Sequence, residues 1–337
     1  MQGGAADLVT GQGGEGGMQA MDIRHLKYFV AISEERSLSA ASQRLGVAQP
    51  SLSQHVIKLE EELGVPLMVR SPRGIVLTEE GNLLVRHARA ICRSLDVCVA
   101  EMKEAGGVLR GPVAFGMPPS VSMVLSVPLA ETVRVEMPSV RLQAIEAMSG
   151  YLKSWVEDGT VDLAFLYDLD RKEHFHARHI LDEQLCFFSA PDAWPLDTAP
   201  GHPVPLAKIA ALDLILPSPT HGLTRTIAKH ASARGIALNV VIEMDAMTQI
   251  KELVARGSGY TIFAPAAAHD YVGRGELVKS PIIEPEITRP VLLVTNPARA
   301  QTRAGRAVID LTLLVTRDLV RRGIWEGQLA PGMGIAG

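Results

Sequence analysis

Apolar positions near the N-terminus repeat at the spacing of short amphipathic helices. Ala41 and Leu45 follow Leu38 by three and seven residues, which places all three on one face of a helix. Ser37 stands directly before this stripe, where its hydroxyl can cap the first turn. Gly46 follows it, and glycine readily takes the left-handed conformation that ends many helices. The pattern therefore predicts a helix from residue 38 to residue 45 with both ends defined.

One helix is predicted before this segment and another after it. The earlier helix starts near Arg24, and its apolar stripe consists of Leu26, Phe29 and Val30. The later helix opens at Gln49 and Pro50, where proline is tolerated because a first-turn N–H has no intrahelical partner. Its apolar stripe consists of Leu52, Val56, Leu59 and Leu63. Two helices joined by a short glycine-containing turn form a helix-turn-helix, but the same spacing occurs in many other helical proteins.

Two short strands follow the third helix and favour a DNA-binding helix-turn-helix over an unrelated pair of helices. They are predicted at residues 67–70 and 75–77, on either side of the turn sequence Ser-Pro-Arg-Gly at residues 71–74. A hairpin at this place predicts a wing. Arg70 and Arg73 lie on or beside its tip, where cations meet phosphate oxygens or enter the minor groove. The alternative is that both are solvated loop charges.

Residues 79–107 predict a single long helix. Thr78 is a good N-cap, and no proline follows until Pro112. Six apolar positions alternate spacings of four and three, which is the a/d pattern of a coiled coil: Leu84, Ala88, Ile91, Leu95, Cys98 and Met102. At about 1.5 Å per residue this helix is on the order of 40 Å long, enough to hold two winged domains at separated half-sites. The alternative to a dimer seam is a plain surface stripe.

Strands and helices alternate from residue 108 to residue 328, which predicts an α/β domain. The strands are predicted at residues 113–116, 140–147, 163–167, 185–189, 214–216, 240–243 and 260–264. The helices are predicted at residues 121–135, 151–157, 223–234, 248–256 and 304–322. The layout recurs, which indicates two lobes with crossovers near Asp182 and Ser280. Lobe I comprises residues 108–182 and 281–328, and lobe II comprises residues 183–280.

The N-terminal motifs resemble those of LysR-type transcriptional regulators. They cover residues 21–81 and comprise Leu26-Lys27-Tyr28-Phe29, Ser37-Leu38-Ser39-Ala40-Ala41, Gln49-Pro50-Ser51-Leu52-Ser53, Leu59-Glu60, Leu63-Gly64 and Arg70-Ser71-Pro72-Arg73-Gly74. Within the family they are most similar to the nitrogen-assimilation regulators. The resemblance implies an N-terminal all-α winged helix-turn-helix at residues 21–78, a linker helix, and a C-terminal two-lobed α/β effector domain like the periplasmic binding proteins.

The resemblance also implies which side chains contact double-stranded DNA. The candidates are Gln49, Pro50, Ser51, Ser53, Gln54, Lys58, Arg70 and Arg73. Gln49 can pair bidentately with adenine, whereas serines suit phosphates. Many relatives carry arginine where this chain has Gln54, so their base preference does not transfer. Family members assemble into dimers and further into tetramers, and we expect a homodimer or homotetramer here.

A small-molecule effector is expected at the carboxyl ends of the strands, where helix N-termini present N–H groups. The candidate residues there are Pro119, Ser120, Ser149, Thr220 and His221. Hydroxyls beside helix N-termini suit a small anion. The alternatives are simple helix capping by these residues, and a regulator that responds to a protein or to its own abundance. A solute-binding transport protein would share the lobes but have no use for a wing.

Composition limits the remaining possibilities. The formal charge of −4 rules out an argument from overall basicity, because the charges of residues 22–78 nearly balance. No GxSxG, GxxxxGK[ST] or HExxH motif occurs, so no enzyme is expected. His174, His176 and His179 lack a closing ligand set, and we predict neither metal nor cofactor. Three cysteines without a CxxC pair, and no signal or membrane segment, predict a cytoplasmic protein. Residues 1–20 and 329–337 are predicted to be tails.

Overall fold

A computed structural model describes residues 21–71, 74–103, 108–167, 169, 175–219 and 221–333. The predicted N-terminal tail, Arg73 at the wing tip, His174 and Thr220 lie outside the described residues. The chain divides into two compact units, Met1–Cys92 and Arg93–Gly337.

The first unit is a winged helix-turn-helix, as predicted. Its elements are α1 (Ile23–Glu35), α2 (Leu38–Leu45), α3 (Gln49–Leu63), β1 (Met68–Ser71), β2 (Gly74–Leu77) and the start of α4 (Glu79–Lys103). The local signals act as expected: the Ser37 hydroxyl accepts from the Ala40 N–H, and Gly46 ends α2 at a φ of 65°. The Thr78 hydroxyl accepts from the Gly81 N–H at 2.9 Å and caps α4.

The core of this unit extends into the long helix. Leu26, Phe29, Leu52 and Val56 pack together with side chains from the first three turns of α4. Among those α4 residues are Leu84, Val85 and Ala88, all buried. The predicted α3 stripe is shorter than expected, because Leu63 is 40% exposed.

Lobe I of the second unit is a six-stranded sheet with helices on both faces. The strands are β3 (Gly111–Met117), β4 (Val140–Glu146), β5 (Leu163–Leu166), β6 (His176–Gln184), β13 (Thr288–Thr295) and β14 (Gln328–Leu329), in the order β14-β6-β13-β5-β3-β4. Helices α5 (Pro119–Glu136) and α11 (Arg303–Arg321) bury one core with this sheet. A separate cluster is formed with α6 (Ser149–Asp158), through Leu152 and Val156.

Lobe II has its own sheets and core. Its strands are β7 (Cys186–Ser189), β8 (Val204–Pro205), β9 (Leu214–Leu216), β10 (Val240–Glu243), β11 (Thr261–Phe263) and β12 (Val278–Ile283). Four of them pair in the order β11-β7-β12-β8, and β9 pairs with β10. Its helices are α7 (Leu206–Ile209), α8 (Gly222–Ser232), α9 (Met247–Ala255) and α10 (His269–Gly273). The two-lobed α/β architecture agrees with the predicted fold class.

Some details of this domain differ from the predictions. The sequence pattern missed β6 and β13, whose long antiparallel pairing lies at the centre of lobe I. Strand β12 pairs with β7 and β8 in lobe II, so the second crossover lies at residues 284–287, later than Ser280. Residues 329–333 are not a tail: Leu329 lies in β14, and Ala330 and Met333 are buried against lobe I. No helix of the described residues is long and apolar enough to cross a membrane.

Candidate DNA-binding surface and effector cavity

Helix α3 presents the predicted DNA contacts on its exposed side. Its buried side holds Leu52, Val56 and Leu59. The exposed side carries Gln49, Pro50, Ser51, Gln54 and Lys58, and Ser53 is half-buried beside them. No side chain caps the helix N-terminus, and Pro50 lies in its first turn. Backbone N–H groups at such an end are suited to a phosphate.

The wing is held against the helices by backbone hydrogen bonds. Arg70 of β1 pairs with Ile75 of β2, and the Ile75 N–H donates to the Arg36 carbonyl at 2.9 Å. The Glu60 carboxylate of α3 accepts from the Leu67 N–H at 2.8 Å. Glu60 therefore supports the wing from the recognition helix, a role that the sequence pattern did not predict.

Some cationic side chains of this unit are paired with carboxylates, and others are not. Arg44 pairs with Glu34 at 2.8 Å and with Glu35 at 3.0 Å, and Arg89 also pairs with Glu34. Within the described part of the chain, no carboxylate lies in ion-pair range of Lys58. Helix α3 thus keeps the Lys58 side chain exposed and outside the ion pairs of the described residues, despite the nearly balanced charge of the domain.

His55 belongs to the supporting side of the recognition helix. Its ring lies 4.8 Å from the His25 ring and 5.1 Å from the Tyr28 ring, centroid to centroid, and both of those residues are on α1. Burial, with the nearby His25 and Lys58, lowers the pKa of His55. A neutral ring packed on α1 fixes how α3 sits in the domain.

The predicted seam of α4 is only partly available for a partner. Leu84 and Ala88 are buried in the core of their own domain, so these two cannot lie in a dimer interface while that domain is folded. Ile91 and Cys98 are exposed, Leu95 is half-buried, and Met102 is 73% exposed. The heptad spacing was the same for all six residues, and the winged domain uses the first two.

A cavity of about 340 Å³ lies between the two lobes and gathers most of the predicted effector residues. Pro119 and Ser120 line it from lobe I at the start of α5, and Ser149 lines it at the start of α6. His221 lines it from lobe II at the start of α8. The structure thus brings together four of the five residues, and Thr220 is the one outside its described part.

Three of the helix N-termini at this cavity have no side-chain cap. Neither α5, α6 nor α9 has a capping hydrogen bond from a side chain, and residues of the first turn of each line the cavity. Side-chain caps occur on α1, α2 and α11, from Asp22, Ser37 and Thr302, and on α8 at the cavity, from His221, whereas α3 and α7 also lack one. Ser120 and Ser149 are therefore not caps, which removes the alternative reading of those two residues. The positive ends of three helix dipoles are left facing one small volume.

A buried polar network forms the lobe I wall of the cavity. Arg289 donates to Glu183 at 2.9 Å and to the Ser120 hydroxyl at 2.9 Å. Its guanidinium lies 3.7 Å from the centre of the Tyr167 ring. The Tyr167 and Ser120 hydroxyls are hydrogen-bonded to each other, and burial raises the pKa of Tyr167 to about 12. The tyrosine is therefore a neutral hydroxyl at the cavity wall.

His221 and Arg225 contribute from lobe II. The Nδ1 atom of His221 accepts from the Leu223 N–H at 3.1 Å, so the proton of the neutral ring is on Nε2. Burial lowers the pKa of His221, which favours this neutral form. Arg225 lines the cavity one turn into α8. The described lining thus includes two arginines and no aspartate or glutamate.

Apolar side chains complete the walls. Met148, Met247, Leu223 and Phe263 line the cavity between the polar groups. Sequence reasoning missed Arg225, Tyr167 and Arg289. Arg289 lies at the start of the undetected strand β13, whose local signal in the sequence is the short apolar run at residues 291–294. Among the described residues, no group of three or more His, Cys, Asp or Glu is arranged to hold a metal ion.

Comparisons with known proteins agree with both halves of the architecture. The family model described as "LysR substrate binding domain" matches residues 106–315, and that described as "Bacterial regulatory helix-turn-helix protein, lysR family" matches residues 23–82. The nitrogen assimilation regulatory protein nac of Klebsiella aerogenes is 29% identical over 299 residues, covering 88% of this chain and 96% of that protein. This relative matches the subgroup indicated by the N-terminal motifs.

Solved structures show the same fold at lower identity. A full-length OxyR variant from Pseudomonas aeruginosa has a TM-score of 0.66 and 21% identity, covering 88% of this chain and 95% of that one. Full-length CbnR in a complex with its target DNA has a TM-score of 0.63 and 20% identity, covering 88% and 99%. The family models together span the winged domain and most of the two-lobed domain. The chain therefore belongs to the LysR family of DNA-binding transcriptional regulators.

Proposed function

We propose that this regulator binds a small organic anion in the interlobe cavity and reads its operator with α3 and the wing. The convergence of three uncapped helix N-termini with Arg225 carries the proposal, because both features favour negative charge. The charge of Arg289 is paired with Glu183, so Arg289 is assigned a structural role in the cavity wall. Met148, Met247 and Phe263 favour an apolar body on the same ligand. A carboxylate attached to a small hydrocarbon group satisfies both.

The role of the cavity is binding, not catalysis. The Ser120 hydroxyl is engaged by Tyr167 and Arg289, and His221 uses Nδ1 as a helix cap. Neither arrangement supplies a nucleophile with an adjacent base. Because its proposed operator is chromosomal DNA, we place the protein in the cytoplasm.

A binding screen tests the effector proposal. Thermal unfolding of the full chain is measured with a panel of small mono- and dicarboxylates, and the matching neutral amides serve as ligand controls. We expect at least one carboxylate to raise the melting temperature. The Arg225→Gln variant should need at least a tenfold higher concentration of that carboxylate for the same rise. Arg234→Gln is the matched control, because Arg234 is exposed just after α8 and does not line the cavity. Equal responses of the two variants would refute this site.

The DNA-reading proposal assigns Gln49 to base recognition and Lys58 to phosphate binding. An operator is first selected from random DNA with the wild-type chain. Gln49→Ala is expected to relax base preference at one position of each half-site, whereas Lys58→Ala weakens all sequences alike and lowers the salt dependence. Glu61→Ala, on the same helix, is the control. If both variants bind the selected operator as the wild type does, α3 does not read DNA in this way.

Dimerisation is proposed to use the later part of α4, through Ile91, Leu95, Cys98 and Met102. These residues keep the heptad spacing. In the single chain Leu95 is half-buried and the other three are exposed. Two copies place two recognition helices on one dyad operator. Assembly of dimers into a tetramer follows from the family resemblance.

A further inference from the structure

Helix α6 has its two ends at different sites of the effector domain. Ser149 and Gly150 in its first turn line the effector cavity. The helix has ten residues, so its other end lies about 15 Å away at about 1.5 Å per residue. If the helix moves as a rigid body, a displacement of its first turn also displaces its last turn.

Packing makes α6 a rigid body. Leu152 and Val156 are fully buried in the cluster beneath it. Gly116 of β3 allows this close approach, since a Cβ there would lie 2.5 Å from a methyl carbon of Leu152. Interiors packed this closely move side chains and helices together instead of absorbing a shift locally.

The far end of α6 is clasped by polar side chains. Gly159 ends the helix at a φ of 77°, and Arg299 packs so closely on it that a Cβ would lie 2.2 Å from the guanidinium carbon. Arg299 also donates to the Asp158 carbonyl at 2.7 Å. Asn296 donates to the Glu157 carbonyl at 2.9 Å. The last turn of α6 is thus tied to the segment that leads into α11.

Arg93 of α4 binds the residues that directly follow this turn. Its Nη1 donates to the Thr160 carbonyl at 3.2 Å, and its Nε donates to the Asp162 carboxylate at 3.1 Å. Asp162 is itself fixed to the sheet, because it also accepts from the Ala114 N–H at 2.8 Å. The side chains of Arg93 and Asp162 are only 14% and 22% exposed, so water competes little for this pair.

We infer that Arg93 is a positioning residue through which α6 communicates the state of the effector cavity to α4. The inference rests on the proposed effector function of that cavity. A ligand that shifts the first turn of α6 also shifts Thr160, and Arg93 transfers this shift to the helix that carries the proposed dimer seam. Arg93 does not line the cavity and is not among the residues proposed to read DNA.

A double-mutant cycle on the full chain tests the inference without a known effector. Gly150→Phe serves as a built-in ligand, because a Cβ at Gly150 meets no atom within 4 Å and the residue lines the cavity. Affinity for the selected operator, and the bend angle of the bound DNA, are measured with and without Arg93→Gln. In the chain that keeps Arg93, we expect Gly150→Phe to change operator affinity about fivefold or more, which is in the range of ordinary allosteric couplings. The change should fall below about twofold in the Arg93→Gln background.

Controls separate coupling from structure. Arg86→Gln, an exposed arginine earlier on α4, should leave the effect of Gly150→Phe unchanged. Arg93→Lys should restore part of the coupling, because a lysine can still pair with Asp162. Circular dichroism checks folding, and Ser149→Phe replaces Gly150→Phe if the latter does not fold. A full effect of the cavity variant in the Arg93→Gln chain overturns the inference, as does a cavity variant without effect in the Arg93 background.

The outcome is distinguishable from a failure of the proposed function. If no carboxylate stabilises the chain in an Arg225-dependent way, the effector proposal fails. If one does so and Arg93→Gln leaves both the binding of that carboxylate and its effect on the operator intact, only the positioning role of Arg93 fails.

Discussion

At the scale of single residues, the effector domain contains a buried ion pair beside its cavity. Glu183 has no exposed surface, and it accepts from both Arg289 and the Trp325 indole N–H at 2.8 Å. Arg289 connects this pair to Ser120 at the cavity wall. The same group therefore affects stability and the position of a candidate ligand contact.

Removing the carboxylate should destabilise the effector domain strongly. Glu183→Ala leaves the Arg289 charge buried without its partner, and we expect a loss of about 3–5 kcal/mol in the free energy of unfolding. Urea unfolding followed by tryptophan fluorescence measures it, since all three tryptophans of the chain lie in the effector domain. Glu131→Ala, an exposed change on α5, should stay within about 0.5 kcal/mol of the wild type. Similar losses in both variants would contradict the importance of the pair.

His221 makes the stability of the effector domain depend on pH. Burial lowers its pKa below the ordinary value of 6.5, so the unfolded chain binds more protons than the folded one as the pH falls below that value. The contribution of His221 to stability is thus fully present above 6.5 and declines as the pH falls toward the lowered pKa.

His221→Asn should reduce this pH dependence, because asparagine can cap α8 without titrating. The free energy of unfolding of both chains is measured at about pH 7.5 and about pH 5.5. We expect the wild type to lose more stability between these values than the variant. Equal losses would mean that other groups, and not His221, set the pH response.

At the scale of elements, α4 has two roles along its length. Its first turns complete the winged domain through Leu84 and Ala88, and its later turns expose Ile91 and Met102. The heptad spacing is continuous along α4, but its first positions pack in the core of the winged domain and its later positions are exposed. The seam should be sensitive to charge only in the later part.

Two charge substitutions on α4 should therefore have different effects. Ala88→Glu places a carboxylate at a fully buried position and should unfold the winged domain, at a cost above about 4 kcal/mol. Met102→Glu should leave helix content unchanged and weaken the dimer. Circular dichroism and sedimentation velocity measure the two properties, with Asp96→Lys as an exposed control on the same helix. A folded Ala88→Glu chain would show that this position is not a core position.

At the scale of the whole molecule, the chain contains separate cores. One cluster holds the winged domain, and other clusters hold the lobes of the effector domain. The residues that line the interlobe cavity come from both lobes, and all of them belong to the second unit. Ligand binding should thus stabilise one unit selectively.

Calorimetry of the full chain should show at least two unfolding transitions, of which the ligand moves only those of the effector domain. A carboxylate from the screen, at about one hundred times its dissociation constant, should stabilise that domain by about 2.7 kcal/mol. Arg225→Gln should abolish the shift and keep both transitions. A ligand that moves every transition equally would indicate that the units unfold together.

The DNA-binding half was largely predictable from local signals. The Ser37 cap, the Gly46 stop and the apolar stripe of α2 each act within a few residues, so their spacing in the sequence already specifies the structure. The family motifs lie in the same segment. The positions of the effector candidates at helix starts were predictable for the same reason, since a strand followed by a hydroxyl and a helix is a local pattern.

The tertiary structure alone decided which distant residues meet. Arg289 and Glu183 are separated by 106 residues, and the pair forms because β13 lies beside β6, a pairing that no local pattern encodes. Likewise, only packing shows that Leu84 and Ala88 belong to a core and not to a seam. The sequence by itself determined a winged helix-turn-helix with an α/β domain, because capping and periodicity are short-range. The charge of the cavity and the Arg93 contact with the residues after α6 required the fold, because both depend on contacts between segments far apart in the chain.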